Sequence, residues 1–212
     1  MGKLIIIVGN TGIGKTTLAR ALAKTGEFIL GLEQHDERPF QLMFKSDARY
    51  ALPNQVDYLL LRAEQEQALR QLPQIGLIDG GLDQDFHGFT RLFHIRGLLG
   101  DTEFELCQRL YKFCRANLPG PDLIIHLSAS NETIVQRLAF RDRVNIANLN
   151  DINLLDSLLT DWMSSLPAKM ILHVDISNVS PSYAEIIPSL KKQITSYFEY
   201  DLGSKIADNF LD

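Results

Sequence analysis

Cysteine, positive charge and long apolar runs are all scarce in this chain of 212 residues. Its two cysteines, Cys107 and Cys114, lie on one predicted helix at a spacing that suits a disulfide badly, so we expect them to pack in a core within a reducing cytoplasm. Basic residues number 21 against 26 acidic ones, which excludes the overall basic field typical of a nucleic-acid-binding protein. No apolar run has the length of a membrane span, so we expect no membrane partner.

The rest of the composition is that of an ordinary globular protein, with 45% hydrophobic and 22% charged residues. No internal repeat or low-complexity tract divides the chain. We therefore expect one α/β domain over residues 1–200, followed by a C-terminal tail over 201–212. The first predicted strand, 4–8, begins within the first few residues of this sequence, so we expect no signal peptide.

The segment after this strand has the pattern of a phosphate-binding loop. It matches G-x-x-x-x-G-K-[ST] at every fixed position, and a short helix is predicted directly after it, at 17–24. A strand, a glycine turn and a helix N-terminus together bind anions, because backbone N–H groups and the helix dipole converge there. An ordinary glycine turn is the alternative. The predicted nucleotide-binding residues are Gly9, Asn10, Thr11, Gly12, Ile13, Gly14, Lys15, Thr16 and Thr17.

Two side chains of the loop and one carboxylate are predicted to complete the donor site. Lys15 would reach the β- and γ-phosphates of ATP or another nucleoside triphosphate, and the Thr16 hydroxyl would bind Mg²⁺. Asp79 ends an apolar strand that we expect beside the first one, where its carboxylate could hold Mg²⁺ directly or through water. Capping of the following turn is the alternative role for Asp79.

Strands and helices alternate along the sequence. Strands are predicted at 4–8, 28–32, 75–78, 122–127 and 170–174. Helices after the first are predicted at about 39–45, 50–72, 85–96, 102–117 and 130–140, then up to residue 165, and at 182–197. This alternation predicts an α/β protein with the three-layer P-loop NTPase fold, in which helices flank a five-stranded parallel sheet. The active site would lie at the carboxyl ends of the strands.

Three arginines and one glutamate carry further candidate chemistry. Arg137 and Arg141 share a face of a predicted helix, and Arg143 follows its end, which suits a lid that neutralises a transferring phosphoryl group. A solvated basic helix end is the alternative. Glu33 follows the second predicted strand at the same sheet edge, where a carboxylate could accept a proton from a substrate hydroxyl.

Four segments in order resemble the deoxynucleoside kinase family. They are the phosphate loop; Glu33 with Arg38-Pro39-Phe40, Phe44, Asp47, Tyr50-Ala51, Gln55 and Arg62; Asp79 with Asp85 and Phe89; and residues 121–127 with Glu132-Thr133 and the three arginines. The match covers roughly residues 3 to 195. Each segment is moderately specific alone, but the shared order and spacing are hard to obtain by chance.

The resemblance implies an ATP- and Mg²⁺-dependent kinase that phosphorylates the 5′-hydroxyl of a nucleoside or deoxynucleoside in nucleotide salvage. Glu33 would be the general base, and Arg137, Arg141 and Arg143 would clamp the donor phosphates. The implied substrate-binding residues are Gln55 on the base edge, Phe89 stacked on the base, Arg62 paired with Asp85 beside it, and Phe44 near the sugar. The family tends to dimerise through helices beside the active site, so a homodimer through the helix around 104–113 is expected.

The sequence departs from the family pattern on the acceptor side. The family follows its acidic strand-end residue with Arg-Ser, and that arginine lies near the 5′-oxygen, whereas Gly80-Gly81 follow Asp79 here. Gln34 stands where the family has a proline after the base glutamate, and the lid continues as Val144-Asn145-Ile146 without the usual acidic residue. Arg38 or Arg91 could supply the absent cation.

Three functional hypotheses follow from these observations. The first is the nucleoside kinase. The second is a P-loop kinase that acts on a nucleoside monophosphate or another small hydroxyl metabolite. The third is a degenerate nucleotide-binding regulatory subunit, which the glycine after Asp79 supports best. The base preference stays open at this point.

Overall fold

A computed structural model describes residues 2–31, 38–130, 132–134, 137 and 149–208, with side chains described outside 149–150 and 201–208. Five strands form one parallel sheet in the order β2–β3–β1–β4–β5, which confirms the predicted sheet. They are β1 Leu4–Gly9, β2 Phe28–Leu30, β3 Ile75–Asp79, β4 Leu123–Ser128 and β5 Ile171–Asp175. All of β1 is buried because it is the central strand and both of its faces are covered.

Helices cover both faces of the sheet. They are α1 Lys15–Ala23, α2 Pro39–Ser46, α3 Ala51–Arg70, α4 Gly81–Gln84, α5 Arg91–Ile95, α6 Asp101–Asn117, α7 Leu149–Ser164 and α8 Ile187–Asp208. A π-helical segment, Asp85–Thr90, joins α4 to α5, and 3₁₀ turns lie at Ala48–Tyr50 and Ala168–Met170. No helix in the described part of the chain combines the length and apolarity needed to cross a lipid bilayer.

Several predicted boundaries were wrong. The second strand ends at Leu30 instead of 32, and the helix predicted at 85–96 is the later part of a helical stretch that already begins at Gly81. The last helix begins at Ile187 instead of 182 and continues to Asp208, well beyond the predicted end at 197. The extra length covers residues 201–208, so the helix continues into the segment that the sequence separates as a tail.

The alternation of side chains along the strands produces two cores, one on each face of the sheet. On one face, strand residues such as Ile5 and Ile125 pack with α1 and α8. On the other, residues such as Ile6 and Ile124 pack with α7. A third apolar cluster joins α3 with α4, α5 and α6, and it contains Cys107 and Cys114 as buried free thiols.

The parallel arrangement brings the carboxyl ends of β1 and β3 to the same edge of the sheet. Ile7 of β1 pairs with Asp79 of β3, and the Gly80 amide donates a 2.8 Å hydrogen bond to the Ile7 carbonyl. The loop after β1 and the segment after β3 are therefore neighbours, which positions the candidate site at this edge.

Candidate active site

The loop between β1 and α1 has the backbone geometry of an anion site. Gly12 and Gly14 have φ values of 76° and 107°, where a residue with a Cβ atom would be strained and glycine is not. Gly14 directly precedes α1, so the backbone amides of the first helical turn, which make no hydrogen bonds within the helix, lie next to the loop. The first turn of α1 contains no acidic side chain, and the positive end of the helix dipole is therefore available to an external anion.

The loop lysine lies across the loop itself. Lys15 Nζ donates to the carbonyl oxygens of Gly9 at 3.0 Å and Asn10 at 2.8 Å. Both acceptors are neutral backbone groups, and charge-assisted bonds to phosphate oxygens would be stronger. The ammonium group is thus held at the mouth of the loop, where a polyphosphate would lie.

Tyr183 and Arg137 support the loop from its outer side. Arg137 Nη1 donates to the Ile13 carbonyl at 2.6 Å and to the Tyr183 hydroxyl at 2.9 Å, and Tyr183 donates to the same carbonyl at 3.2 Å. Arg137 Nη2 also donates to the Val179 carbonyl at 3.1 Å. Burial raises the pKa of Tyr183 although Arg137 acts against this. The loop conformation is therefore fixed by residues distant in sequence, and the sequence analysis missed Tyr183.

The two predicted metal ligands are in contact. The Thr16 hydroxyl, in the first turn of α1, donates to the Asp79 carboxylate at the end of β3. Their proximity follows from the pairing of β1 with β3, because the loop and Asp79 leave neighbouring strands at the same edge. A hydroxyl oxygen and a carboxylate oxygen are the ligand types that Mg²⁺ prefers.

Two further polar residues, Asn10 and Gln84, fix the start of the loop. The role of Gln84 was not predicted from the sequence. Buried Gln84 on α4 accepts a 3.1 Å hydrogen bond from the Gly9 amide. The Asn10 side chain, buried in the loop, donates to the Ile152 carbonyl on α7 at 2.9 Å. A glutamine on a short helix carries no sequence signal for this role, since the contact depends on how α4 packs against β1.

Four of the predicted substrate-binding residues lie on α3 and the π-helical segment, which pack against each other. Gln55 is buried, and its Oε1 accepts a 2.9 Å hydrogen bond from the Thr90 hydroxyl. Arg62 Nε donates to Asp85 Oδ2 at 2.8 Å, so the ion pair expected from the sequence is present. Phe89 is half-buried where two apolar clusters meet. The roles of these residues toward a nucleobase stay predictions.

The ion pair lies within electrostatic range of the donor site. Burial opposes the charged form of Arg62, but the carboxylates of Asp85 and Asp79 outweigh it and raise the pKa of the guanidinium. Burial raises the pKa of Asp85, and Arg62 acts against this shift, as Lys15 does more weakly. Lys15, Asp79, Arg62 and Asp85 therefore form one group of interacting charges.

A buried polar network supports the segment that carries Asp85 and Phe89. Arg115 on α6 donates two hydrogen bonds to the carboxylate of Glu66 and two to that of Asp83, with donor–acceptor distances of 2.7–3.0 Å. The Tyr111 hydroxyl donates to Asp83 at 2.7 Å and lies 3.0 Å from a ring nitrogen of His87. Burial lowers the pKa of His87 to about 4. The network ties α3, α4 and α6 together and thereby fixes the start of the π-helical segment.

The remaining predicted site residues divide into two groups. Glu33, Arg141 and Arg143 lie outside the described residues, so their placement stays a prediction. Phe44 on α2 is described, and its ring lies 5.1 Å from that of Phe93. It packs against the same apolar cluster as Phe89 and thereby joins α2 to α5.

A family model for deoxynucleoside kinases matches residues 5–195 of this sequence. The chain belongs to the deoxynucleoside kinase family. It is 32% identical to the deoxyadenosine kinase of Dictyostelium discoideum over 143 residues, which is 67% of this chain and 58% of that protein. It is 25% identical to the deoxyadenosine/deoxycytidine kinase of Bacillus subtilis strain 168, also over 143 residues, which is 66% of each chain. The chain thus spans somewhat less than two thirds of these relatives.

A solved structure supports the fold of this family member independently. The deoxyadenosine kinase from M. mycoides, with the products dCMP and a flexible dCDP bound, superimposes with a TM-score of 0.74. The likeness covers 91% of this chain and 99% of that one at 20% sequence identity. At this identity the comparison establishes the shared P-loop NTPase fold and no more.

Proposed function

We propose that this protein is a kinase that transfers the γ-phosphoryl group of ATP to the 5′-hydroxyl of a deoxynucleoside. The observation that carries the proposal is the meeting of two half-sites at one sheet edge. The phosphate loop contacts Asp79 through Thr16, and Arg62, which pairs with Asp85, interacts electrostatically with the same Asp79 carboxylate. A phosphate donor and an alcohol acceptor bound in these half-sites would face each other.

On the donor side, catalysis is mostly positioning and electrostatics. The amides of the loop and of the first turn of α1 would bind the β- and γ-phosphate oxygens, and Lys15 would exchange its bonds to Gly9 and Asn10 for bonds to phosphate. The loop needs little rearrangement, because Tyr183 and Arg137 already hold it. A preorganised site of this kind stabilises the charge of the transition state without reorganisation during the reaction.

Thr16 and Asp79 suit a bound Mg²⁺. Magnesium usually takes one or two protein oxygens and completes its shell with water and substrate phosphates, so a hydroxyl and one carboxylate are sufficient. When bound, the ion would neutralise charge on the bridging phosphate oxygens.

On the acceptor side, Gln55 and Phe89 would take the nucleobase. Gln55 can offer a carbonyl and an amide to a base edge, and its Oε1 is already oriented by the Thr90 hydroxyl. The half-buried ring of Phe89 can stack on a base, and Phe44 packs against the same apolar cluster. Glu33 is proposed to take the proton of the 5′-hydroxyl. Arg141 and Arg143, together with Arg137 beside the loop, are proposed to clamp the donor phosphates. The names of the relatives favour a purine or cytosine deoxynucleoside.

The family match argues against the other two hypotheses. A nucleoside monophosphate kinase or a kinase for another metabolite would be an exception within a family of nucleoside kinases. A degenerate regulatory subunit would have little reason to retain the loop lysine together with the contact between Thr16 and Asp79. The net charge of −5 also favours a small-molecule substrate over nucleic acid.

Ligand binding and turnover test the proposal together. Thermal shifts are measured with ATP, deoxynucleosides and nucleoside monophosphates, since a ligand that binds only the folded state raises the melting temperature. ADP release is then followed with the same panel and with 5′-deoxyadenosine, which has no 5′-hydroxyl. We expect saturable ADP release with a deoxynucleoside and none with 5′-deoxyadenosine. Binding of ATP without any nucleoside-dependent ADP release would leave the regulatory-subunit hypothesis standing.

We further propose a cytoplasmic homodimer that pairs through α3 and α6. The outer face of α6 exposes Phe113 to 70% and Leu106 to 45%, and Leu60 on α3 is 43% exposed. Exposed apolar side chains that share one surface, as Leu106 and Phe113 do on α6, mark candidate interfaces. Light scattering should give twice the chain mass for the wild-type protein and the monomer mass for Phe113→Ser. A monomeric wild-type protein would refute the pairing.

A further inference from the structure

The residue after Asp79 is a glycine in a conformation that other residues avoid, with φ at 88° and ψ at −85°. The site therefore has no side chain at this position, which directly follows β3 and whose amide donates to the Ile7 carbonyl of β1. A Cβ atom on Gly80 would lie 3.6 Å from Arg62 Nη2 and 3.9 Å from the side-chain amide of Gln84. The guanidinium of Arg62, which comes from α3, thus borders the space that the glycine leaves open.

The three nitrogen atoms of this guanidinium have different environments. Nε donates to Asp85 at 2.8 Å, and Nη1 donates to Gln65 Oε1 at 3.1 Å. Nη2 lies toward Gly80, and no residue in the described part of the chain accepts a hydrogen bond from it. Asp85 and Gln65 hold the planar group in place, and one edge of it is left for another acceptor.

The charges around Arg62 indicate what that acceptor is. Arg62 interacts with Asp79, whose carboxylate accepts the Thr16 hydrogen bond at the head of the phosphate loop. Burial of a guanidinium is costly unless anions surround it, and Asp85 compensates only one edge. Arg38, which the sequence analysis considered for this task, binds the Asp57 carboxylate through Nε and Nη2.

We propose that Arg62 is the cation on the acceptor side of phosphoryl transfer, with Nη2 bound to an oxygen of the transferring group in the space beside Gly80. The inference rests on the proposed kinase function and assigns Arg62 to the reaction instead of to the nucleobase. In the transfer, the bond from the 5′-oxygen to the γ-phosphorus forms as the bond from that phosphorus to the ADP oxygen breaks. The hydroxyl proton leaves to the general base, and Arg62 stabilises the charge on the equatorial oxygens.

Steady-state kinetics separate this role from a role in base recognition. Removal of a group that acts only in the transition state lowers kcat, whereas removal of a base contact raises the nucleoside KM. For Arg62→Gln at saturating MgATP we expect kcat to fall about 100- to 10,000-fold, with the nucleoside KM changed less than about 5-fold. Arg62→Lys should recover part of the loss, since it restores charge without the planar fork. Arg49→Gln is the matched control, because Arg49 also pairs with an aspartate but is 87% exposed.

A binding measurement without turnover gives a second readout. The complex of ADP, Mg²⁺, aluminium fluoride and nucleoside mimics the transferring group, and transition-state mimics bind more tightly than substrates. Arg62→Gln should weaken this complex at least about 100-fold and leave the affinity for ADP alone unchanged. Unaltered affinity for the aluminium fluoride complex would overturn the assignment.

Loss of the buried ion pair could prevent folding, so the double variant Arg62→Gln/Asp85→Asn removes both charges and keeps polar groups in place. We expect the double variant to fold and to keep the low kcat. Recovered kcat in the double variant, or a raised nucleoside KM with kcat intact in Arg62→Gln, would refute the inference while the kinase function stands. A wild-type protein without nucleoside-dependent turnover would refute the kinase function and the inference with it.

Discussion

The contact of Gly14 with Tyr183 gives a quantitative prediction about why the phosphate loop needs a glycine at position 14. A Cβ on Gly14 would overlap the Tyr183 hydroxyl and lie 3.3 Å from Tyr183 Cζ and 3.0 Å from Arg137 Nη1. The substitution Gly14→Ala therefore has two costs. One is the backbone conformation at φ 107°, at about 1–3 kcal/mol, and the other is displacement of a buried hydroxyl from its hydrogen bonds, at about 1–3 kcal/mol.

The two costs can be separated with Tyr183→Phe, which removes the hydroxyl. That variant alone should lower the free energy of unfolding by about 1–2 kcal/mol, because it loses the bonds to Ile13 and Arg137. In the Tyr183→Phe background, Gly14→Ala should cost mainly the backbone term, about 1–3 kcal/mol. The double-mutant cycle should then give a coupling of about 1–3 kcal/mol between the two positions.

Urea unfolding of the four proteins measures this coupling, and calorimetric titration with ADP shows whether the loop still binds phosphate. Among the four proteins, Gly14→Ala should bind ADP most weakly. The double variant should recover part of this affinity, because the clash with the tyrosine hydroxyl is then absent. Additive losses within about 0.5 kcal/mol would mean that the tyrosine does not limit the loop, and the proposed support from the outer side would then be wrong.

Two further predictions concern the buried network. Arg115→Met leaves the carboxylates of Glu66 and Asp83 buried without their cation, so urea unfolding should show a loss of about 3–5 kcal/mol; a loss below about 1 kcal/mol would contradict the network's role. The low pKa of His87, about 4, means that the unfolded chain takes up a proton below about pH 6.5 that the folded protein refuses until about pH 4. Stability is therefore lost as pH falls through this window, by about 1 kcal/mol between pH 7 and 5 after allowance for partial exposure. Thermal unfolding should show a smaller loss of stability for His87→Gln than for the wild type over the same pH range. Equal acid sensitivity of the two proteins would count against this assignment.

The sheet and the phosphate loop could be predicted because their signals are local. Runs such as 4–8 and 122–127 contain mostly apolar residues, as strands covered on both faces require, and the glycine pattern sits directly between a strand and a helix. The Thr16–Asp79 contact then follows from strand order and the length of the loop, since the phosphate loop and Asp79 follow neighbouring strands at one edge. The ion pair between Arg62 and Asp85 came from the family resemblance.

The support of the loop could not be predicted from the sequence. Tyr183 meets the Ile13 carbonyl across 170 positions, and Gln84 reaches the Gly9 amide across 75, so neither contact has a local pattern. The proximity of Arg62 to Gly80 likewise depends on how closely α3 packs against the end of β3. The start of the helical stretch at Gly81 was also missed, because glycine is a poor helix former and its pattern suggests a turn, although the stretch runs without a break from α4 through the π-helical segment.

The central claim is that the first turn of α1 binds the donor phosphates and positions the γ-phosphoryl group for transfer to a 5′-hydroxyl. The most direct test uses ATP labelled in its γ-phosphate, a deoxynucleoside and Mg²⁺, with identification of the labelled product by mass spectrometry for wild type and Lys15→Ala. We expect the label in a deoxynucleoside 5′-monophosphate with the wild-type protein, and a loss of at least about 1,000-fold in the rate with the variant. Equal labelling by Lys15→Ala, or label found only in free phosphate, would contradict the account.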